Sequence, residues 1–277
     1  MKRVSPAPHT ADLHAHSTCS DGALSPTALV ELAARRGVRH LALTDHDTIE
    51  GIAEARNAGN RRGVQIIAAL ELSVWQEREL HVLGYFVDPD HPGLRVHLQD
   101  YRTARTRRIH DICDRLAELG VVLDPAAILA SAAGNPGRPH IAHHLVKGGH
   151  VRTFDEAFQR YLGNGRPACV PSARLSAADG IAALHAAGGV AVLAHPAVEG
   201  AEAHLAELVD LGLDGLECSH PAHDAATTRR LRLVADALGL VATGGSDFHR
   251  AEGGSAPGSH GVEPVVLARL HERRRAA

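Results

Sequence analysis

Ile181-Ala182-Ala183-Leu184-His185-Ala186-Ala187-Gly188-Gly189-Val190-Ala191-Val192-Leu193-Ala194-His195-Pro196 contains the repeating unit of this chain in full. An apolar helical run closes at glycine, which accepts positive φ without strain and so ends helices well. A short apolar strand follows, and then a residue able to bind a metal. The phrase recurs along the chain. Leu29 to Arg36 and Gly37 lead to Val38–Leu43 and Thr44-Asp45-His46-Asp47. Ile52 to Arg62 and Gly63 lead to Val64–Ala68 and Glu71, and Leu205 to Leu211 and Gly212 lead to Leu213–Glu217. Thr228 to Leu238 and Gly239 lead to Leu240–Thr243 and Gly244-Gly245-Ser246-Asp247-Phe248-His249. Apolar strands alternating with helices predict a parallel sheet buried on both faces. A doubly wound open sheet would focus chemistry at one switch point. Reactive residues after many successive strands instead favour an α/β barrel, which gathers them at one mouth.

The phrase breaks between about His97 and Leu162. Helices are expected over Leu98–Leu119, Pro125–Ala132, Ile141–Lys147 and Phe154–Tyr161, with Asn135–His140 as a loop. The barrel phrase returns after Val170. The block therefore reads as a helical insertion over the barrel mouth rather than a separate domain, giving a barrel of residues 1–96 and 163–277 and an insertion of 97–162.

Composition limits the function classes. The chain has 277 residues, 44% hydrophobic and 22% charged, as in a globular protein with a substantial core. Aromatics at 3% argue against an open stacking surface for single strands, and a net charge of −3 argues against a long-duplex nucleic-acid footprint. Four scattered cysteines make no Cys-x-x-Cys and no disulfide framework, and no signal-peptide core or bilayer-length apolar run is present. A cytoplasmic location is the expectation. Oligomeric state is not legible.

Histidine is over-represented, with 21 copies. His14-Ala15-His16 places two imidazoles on one face of an extended segment, since residues i and i+2 point the same way. With the residues at the other strand ends, the candidate metal ligands are His14, His16, Asp21, His46, Glu71, His81, His195, Asp247 and His249. Imidazole and carboxylate without thiolate suit Mn²⁺, Fe²⁺ or Zn²⁺. Nine ligands exceed one tetrahedral site and suffice for two or three ions. Asp45 or Asp47 is expected to orient the His46 ring.

These motifs, with Thr44-Asp45-His46-Asp47, His81-Val82-Leu83-Gly84, Ala194-His195-Pro196 and Ser246-Asp247-x-His249, resemble the PHP (polymerase and histidinol phosphatase) metallophosphoesterases. The resemblance runs from about residue 11 to 250. It implies a distorted seven-stranded (βα) barrel and a trinuclear centre, with Mn²⁺ the leading metal. Carried over, the first ion takes His14, His16, Glu71 and Asp247. The second shares Glu71 and adds His81 and His195, and the third takes Asp21, His46 and His249. A non-catalytic relative would lack ligands, and none is missing. A metal-dependent amidohydrolase typically needs a bridging lysine at a strand end, where neither Lys2 nor Lys147 lies.

Gly137-Arg138-Pro139-His140-Ile141-Ala142, Tyr161-Leu162-Gly163-x-Gly165-x-Pro167-Ala168 and Val170-Pro171 look like the nucleotide-acting subgroup. That subgroup includes 3′,5′-nucleoside bisphosphate phosphatases and a 5′-to-3′ exoribonuclease. Arg138 at a helix start, with His140, is positioned to grip a second phosphate. Of the arginines at 102, 105, 107, 108 and 115, Arg102 or Arg105 is expected at the mouth, and Arg102 is taken with Arg138 and His140 as substrate-binding. The expected reaction is attack by a metal-bound hydroxide on the 3′-phosphate of a nucleoside 3′,5′-bisphosphate. The alternative is 5′-to-3′ trimming of short 5′-phosphorylated RNA at the same site. His220 and His223 are either leaving-group neighbours or solvated loop residues. Arg250 to Ser259 is either a lid or a linker.

Overall fold

Seven strands form one sheet in sequence order, β1 (Ala11–Asp12), β2 (His40–Leu43), β3 (Gln65–Gln76), β4 (Arg78–Tyr85), β5 (Val190–Leu193), β6 (Gly215–Ser219) and β7 (Val241–Gly244). The structure is a computed structural model that describes residues 10–132, 135–171, 175–198, 200–250 and 255–274. The last strand returns to the first. The Leu13 N–H donates to the Gly244 carbonyl at 3.4 Å, and Ala15 bridges Phe248 in parallel. The sheet is thus nearly closed into a barrel.

The expectation of an all-parallel sheet is corrected. β1–β2–β3 and β5–β6–β7 pair in parallel, but β4 runs antiparallel to both β3 and β5. The cause is a tight reversal at Gln76-Glu77-Arg78, where Glu77 takes a φ of 57°. β3 is consequently a 12-residue strand. Glu71 and His81 therefore lie inside strands rather than after their ends. Strand alternation still aims them correctly. Ile67 and Ala69 on β3, and Leu83 and Tyr85 on β4, pack in one interior cluster, while Leu70, Leu72, Leu80 and Val82 pack in another. Glu71 and His81 continue the first set.

Helices α1 (Pro26–Arg35), α2 (Ile52–Arg62), α7 (Ala177–Ala186), α8 (Leu205–Asp210) and α9 (Ala225–Ala237) flank the sheet, and α10 (Val265–Glu272) closes the chain. Their starts are chemically marked. Ser25, Ser176 and Asp224 each accept a backbone N–H as N-cap.

Helix α3 (Pro92–Glu118) begins six residues before the expected helix and is continuous through residue 97. Its first half, with Leu94, Leu98 and Tyr101, packs on the barrel's outer core. Its second half, with Ile109, Ile112 and Leu116, joins Ile128, Ile141, Leu145 and Leu162 in a separate core. That second core ties α3 to α4 (Pro125–Ser131), α5 (Arg138–Lys147), α6 (Phe154–Ala157) and the π-helical turn Phe158–Leu162. Helix α3 thus joins the helical block to the barrel.

Candidate metal centre

All nine expected ligands converge at that mouth. The Nε2 atoms of His14 and His16 lie 3.1 Å apart, and each is 3.2 Å from Glu71 Oε2. Asp247 Oδ1 lies 3.3 Å from the first nitrogen and 3.2 Å from the second. Ligands about 2.0 Å from a central ion in a tetrahedron stand about 3.3 Å from one another. Two imidazole nitrogens and two carboxylate oxygens with this spacing fit a divalent cation.

Glu71 is the hub. Its Oε1 faces His81 Nδ1 at 2.9 Å and His195 Nε2 at 3.0 Å, and its Oε2 faces His46 Nδ1 at 3.3 Å. Asp21 draws a third set together, with Oδ1 3.3 Å from His249 Nε2 and 3.7 Å from His16 Nδ1, and Oδ2 3.8 Å from His46 Nε2. The buried ring nitrogens His46 Nδ1 and His81 Nδ1 approach Glu71 without hydrogen-bonding geometry, as expected of atoms shaped for a cation. Both His16 and His46 present one nitrogen to Glu71 and the other to Asp21, so they stand between neighbouring sets.

The backbone is shaped for this convergence. His195 and Asp247 adopt positive φ, 29° and 46°, a region costing about 1–3 kcal/mol outside glycine. Gly245 lets the chain pass against His14, because a Cβ there would meet His14 Cβ at 2.2 Å.

Electrostatics hold the carboxylates ionised. Burial pushes Glu71 up, but His46, His14 and His81 outweigh it and hold it well below the usual range. Asp21 and Asp247 behave alike, against burial, through His249 and His46 for the first and His14 for the second. Burial lowers His81 and His249, but Glu71 and Asp21 respectively drive them up to about 9 and about 10. Burial dominates at His46, which falls to about 3.

Glu217 was not legible in the sequence as a partner of this cluster. Buried Glu217 places Oε1 2.9 Å from His14 Nδ1, and its Oε2 accepts the His195 N–H at 2.8 Å. His220 Nε2 lies 3.2 Å from Asp247 Oδ2, close to the cluster, whereas His223 turns to the Cys218 carbonyl. The expectation that Asp45 or Asp47 orients His46 is corrected. Asp45 accepts from Ser17 N–H, Ser17 Oγ and Ser20 Oγ, fixing the loop that carries Asp21. Asp47 accepts from the Ser73 N–H and from the Arg105 guanidinium. The backbone of His46 is held instead by Asn135, whose Nδ2 donates to the His46 and Asp47 carbonyls.

Of the three expected substrate contacts, Arg138 sits at the cluster, at the first turn of α5. Its Nη1 donates to Leu162 O and Asn164 Oδ1, and its Nη2 to Glu79 Oε1 at 3.3 Å. His140 caps its own helix, accepting the Gly137 N–H at Nδ1, which leaves Nε2–H as donor in the neutral ring. Arg102 points elsewhere. It is half exposed, pairs with Glu50 and lines a different cavity. Arg105, the other arginine expected at the mouth, lines it together with Arg108.

Three cavities meet at the ligands. One of about 230 Å³ is lined by His46, Glu71, His81, His195, Asp247 and His249, with Glu79 and Arg138 at its edge. A second of about 120 Å³ is lined by Asp21, His46, Arg105, Arg108 and Arg138. A third of about 530 Å³ touches Asp21, Asp247 and His249. The expected lid or linker at 250–259 falls partly outside the described residues, since 251–254 are not among them. No described helix is long and apolar enough to cross a membrane.

Known proteins are similar to this chain in sequence and fold. Residues 12–122 match the PHP domain. The chain is 38% identical to a 5′-3′ exoribonuclease of Haemophilus influenzae, over 86% of this chain and 89% of that protein. It is 37% identical to a 3′,5′-nucleoside bisphosphate phosphatase of Chromobacterium violaceum, over 90% and 88%. Its fold superposes with a TM-score of 0.88 on the crystal structure of a protein assigned as a metal-dependent phosphoesterase from Bifidobacterium adolescentis, at 29% identity and 97% and 98% coverage. With its barrel, its ligand cluster and these relatives, the chain belongs to the PHP domain family of metal-dependent phosphoesterases.

Proposed function

We propose that this phosphoesterase removes the 3′-phosphate of nucleoside 3′,5′-bisphosphates, leaving the nucleoside 5′-monophosphate. The position of Arg138 carries the reading. It borders both the cavity against the ligands and the smaller one lined by Arg105 and Arg108. A substrate with two phosphates needs two grips a short distance apart, one at the metals and one at guanidinium groups. The activity named for the Chromobacterium violaceum relative agrees.

We assign three divalent ions to the nine ligands, with Mn²⁺ first and Fe²⁺ or Zn²⁺ as alternatives. When bound, such ions supply Lewis acidity and lower the pKa of water for attack at neutral pH. The chain contributes the rest. Asp21, Glu71 and Asp247 stay ionised and hold the cations. Arg138 retains Nε–H and one Nη2 hydrogen for the 5′-phosphate, and the Nε2–H of His140 is a further donor. Glu79, between Arg108 and Arg138, competes with phosphate for these guanidiniums and keeps them extended into the site. The helical block 97–162 acts as the substrate cap, since it supplies all four arginine and histidine donors, Arg105, Arg108, Arg138 and His140. Arg102 is not carried into this assignment. Free cysteines and a nucleotide substrate accord with a cytoplasmic enzyme.

The 530 Å³ cavity favours a second activity at the same site, 5′-to-3′ removal of nucleotides from short 5′-phosphorylated RNA, because it leaves room beyond the scissile phosphate. Phosphate release from adenosine 3′,5′-bisphosphate by the Mn²⁺-loaded protein tests the main reading. No release sinks it.

A further inference from the structure

We infer that the third cavity, through Phe154 and Arg250, is a stacking subsite for the second nucleoside of a 5′-phosphorylated dinucleotide, the one joined to the scissile phosphate by its O5′. The inference rests on the functional reading above. The cavity touches Asp21, Asp247 and His249, and Pro139 and Phe158 divide it from the arginine-lined cavity, since both line the two. A substrate phosphate at the ligands is therefore open on both sides of that wall.

The lining is aromatic in a chain where aromatics are scarce. Two of the four phenylalanines, Phe154 and Phe158, face it, with ring centroids 5.2 Å apart. His143 lies 5.2 Å from the Phe154 ring. The Arg250 guanidinium stands 4.7 Å over Phe154. It has no acidic partner among the described residues. Asp155 is the one acidic lining residue outside the ligand set. A half-buried ring with a guanidinium beside it is the arrangement by which proteins hold an unpaired base next to its phosphate, tolerant of base identity because every base has a π-face. A volume of about 530 Å³ lies within the range of small-molecule sites, about 300–1,000 Å³.

In the reaction the P–O3′ bond breaks, a water oxygen bonds to phosphorus, and a proton goes to O3′. The first nucleoside leaves as its 5′-monophosphate, and the second keeps the phosphate on its own O5′. It then carries the 5′-phosphate that the Arg138 pocket takes.

The test compares Mn²⁺-loaded wild type, Phe154→Ala and Arg250→Ala on adenosine 3′,5′-bisphosphate and on 5′-phosphorylated diadenylate. Wild type is expected to turn over both. Each variant is expected to lose about 10-fold or more in kcat/KM on the dinucleotide, the scale of one base stack, with bisphosphate turnover within about twofold of wild type. A wild type that cleaves the bisphosphate but not the dinucleotide overturns the subsite and leaves the phosphatase reading standing. Variants that keep dinucleotide turnover, or that lose both activities in parallel, also overturn it. A wild type inert on both overturns the underlying reading, and the subsite with it.

Discussion

Glu217 and His14 are joined by a 2.9 Å contact between Oε1 and Nδ1 that fixes which ring nitrogen faces the metal centre. A carboxylate accepts only, so Nδ1 carries the proton and Nε2 is the nitrogen whose lone pair is free for a cation held among Glu71, His16 and Asp247. The other oxygen of Glu217 holds the strained backbone of His195, so one buried side chain sets the spacing of two ligands.

Glu217→Gln keeps the volume but offers an amide. If its oxygen stays on the His195 N–H, its NH₂ meets Nδ1 and drives the proton to Nε2, where the metal binds. Metal affinity is expected to fall about 10–100-fold, as for other partners behind a ligand, with the thermal midpoint of the metal-free protein little changed. Competitive titration with a chelating dye reads the affinity. Wild-type affinity would contradict the assigned tautomer.

Arg138→Ala removes the guanidinium shared by two cavities. KM for adenosine 3′,5′-bisphosphate is expected to rise about 10–100-fold, the worth of a charge-assisted phosphate contact. Turnover of p-nitrophenyl phosphate, which has no second phosphate, should change by less than about twofold. An equal loss on both substrates would place Arg138 in the fold or at the metals instead.

Gly245→Ala tests the close approach behind His14. The added Cβ would stand 2.2 Å from His14 Cβ, so strand and ligand must move apart. A loss of about 1–3 kcal/mol in stability is expected from overpacking, together with reduced metal occupancy. Urea unfolding and metal analysis check both, and a neutral substitution would show that the chain relaxes freely here.

Metal-free protein should lose stability as the solution is made alkaline. His81 and His249 titrate near 9 and near 10 in the fold, above about 6.5 for an unfolded histidine. Their imidazolium forms therefore stabilise the fold fully below about pH 6.5, and that contribution is lost as pH rises through 9 and 10. The carboxylates of the centre remain ionised throughout this window. Cations replace the protons, so metal affinity should rise over the same interval and proton release should accompany binding. Calorimetry in buffers of different ionisation enthalpy measures the protons. Binding without proton release would contradict the charge pattern.

Much of the barrel and all nine residues of the cluster were legible because each is announced locally, by a glycine-closed helix, an apolar run and a histidine or carboxylate within a few residues. The reversal of β4 was not. Its turn at Glu77 uses charged residues rather than Asn-Gly or Asp-Gly, so nothing signals a hairpin. Glu217 sits in the apolar strand β6 and meets a partner 203 residues away, a relation no spacing reveals. Arginines at 102, 105, 107 and 108 on α3 could not be phased, because which face of a long polar helix turns inward depends on what it packs against. Arg105 and Arg108 face the cavity, and Arg102 turns to Glu50.

Removal of the 3′-phosphate is followed on adenosine 3′,5′-bisphosphate by ³¹P NMR with the Mn²⁺-loaded protein, quenched with EDTA at intervals to strip the paramagnetic ion. The 3′-phosphate resonance is expected to give way to inorganic phosphate while the 5′-phosphate resonance persists, and EDTA added at the outset is expected to abolish the change. Loss of the 5′-phosphate first, or hydrolysis that EDTA leaves untouched, would contradict the proposed function.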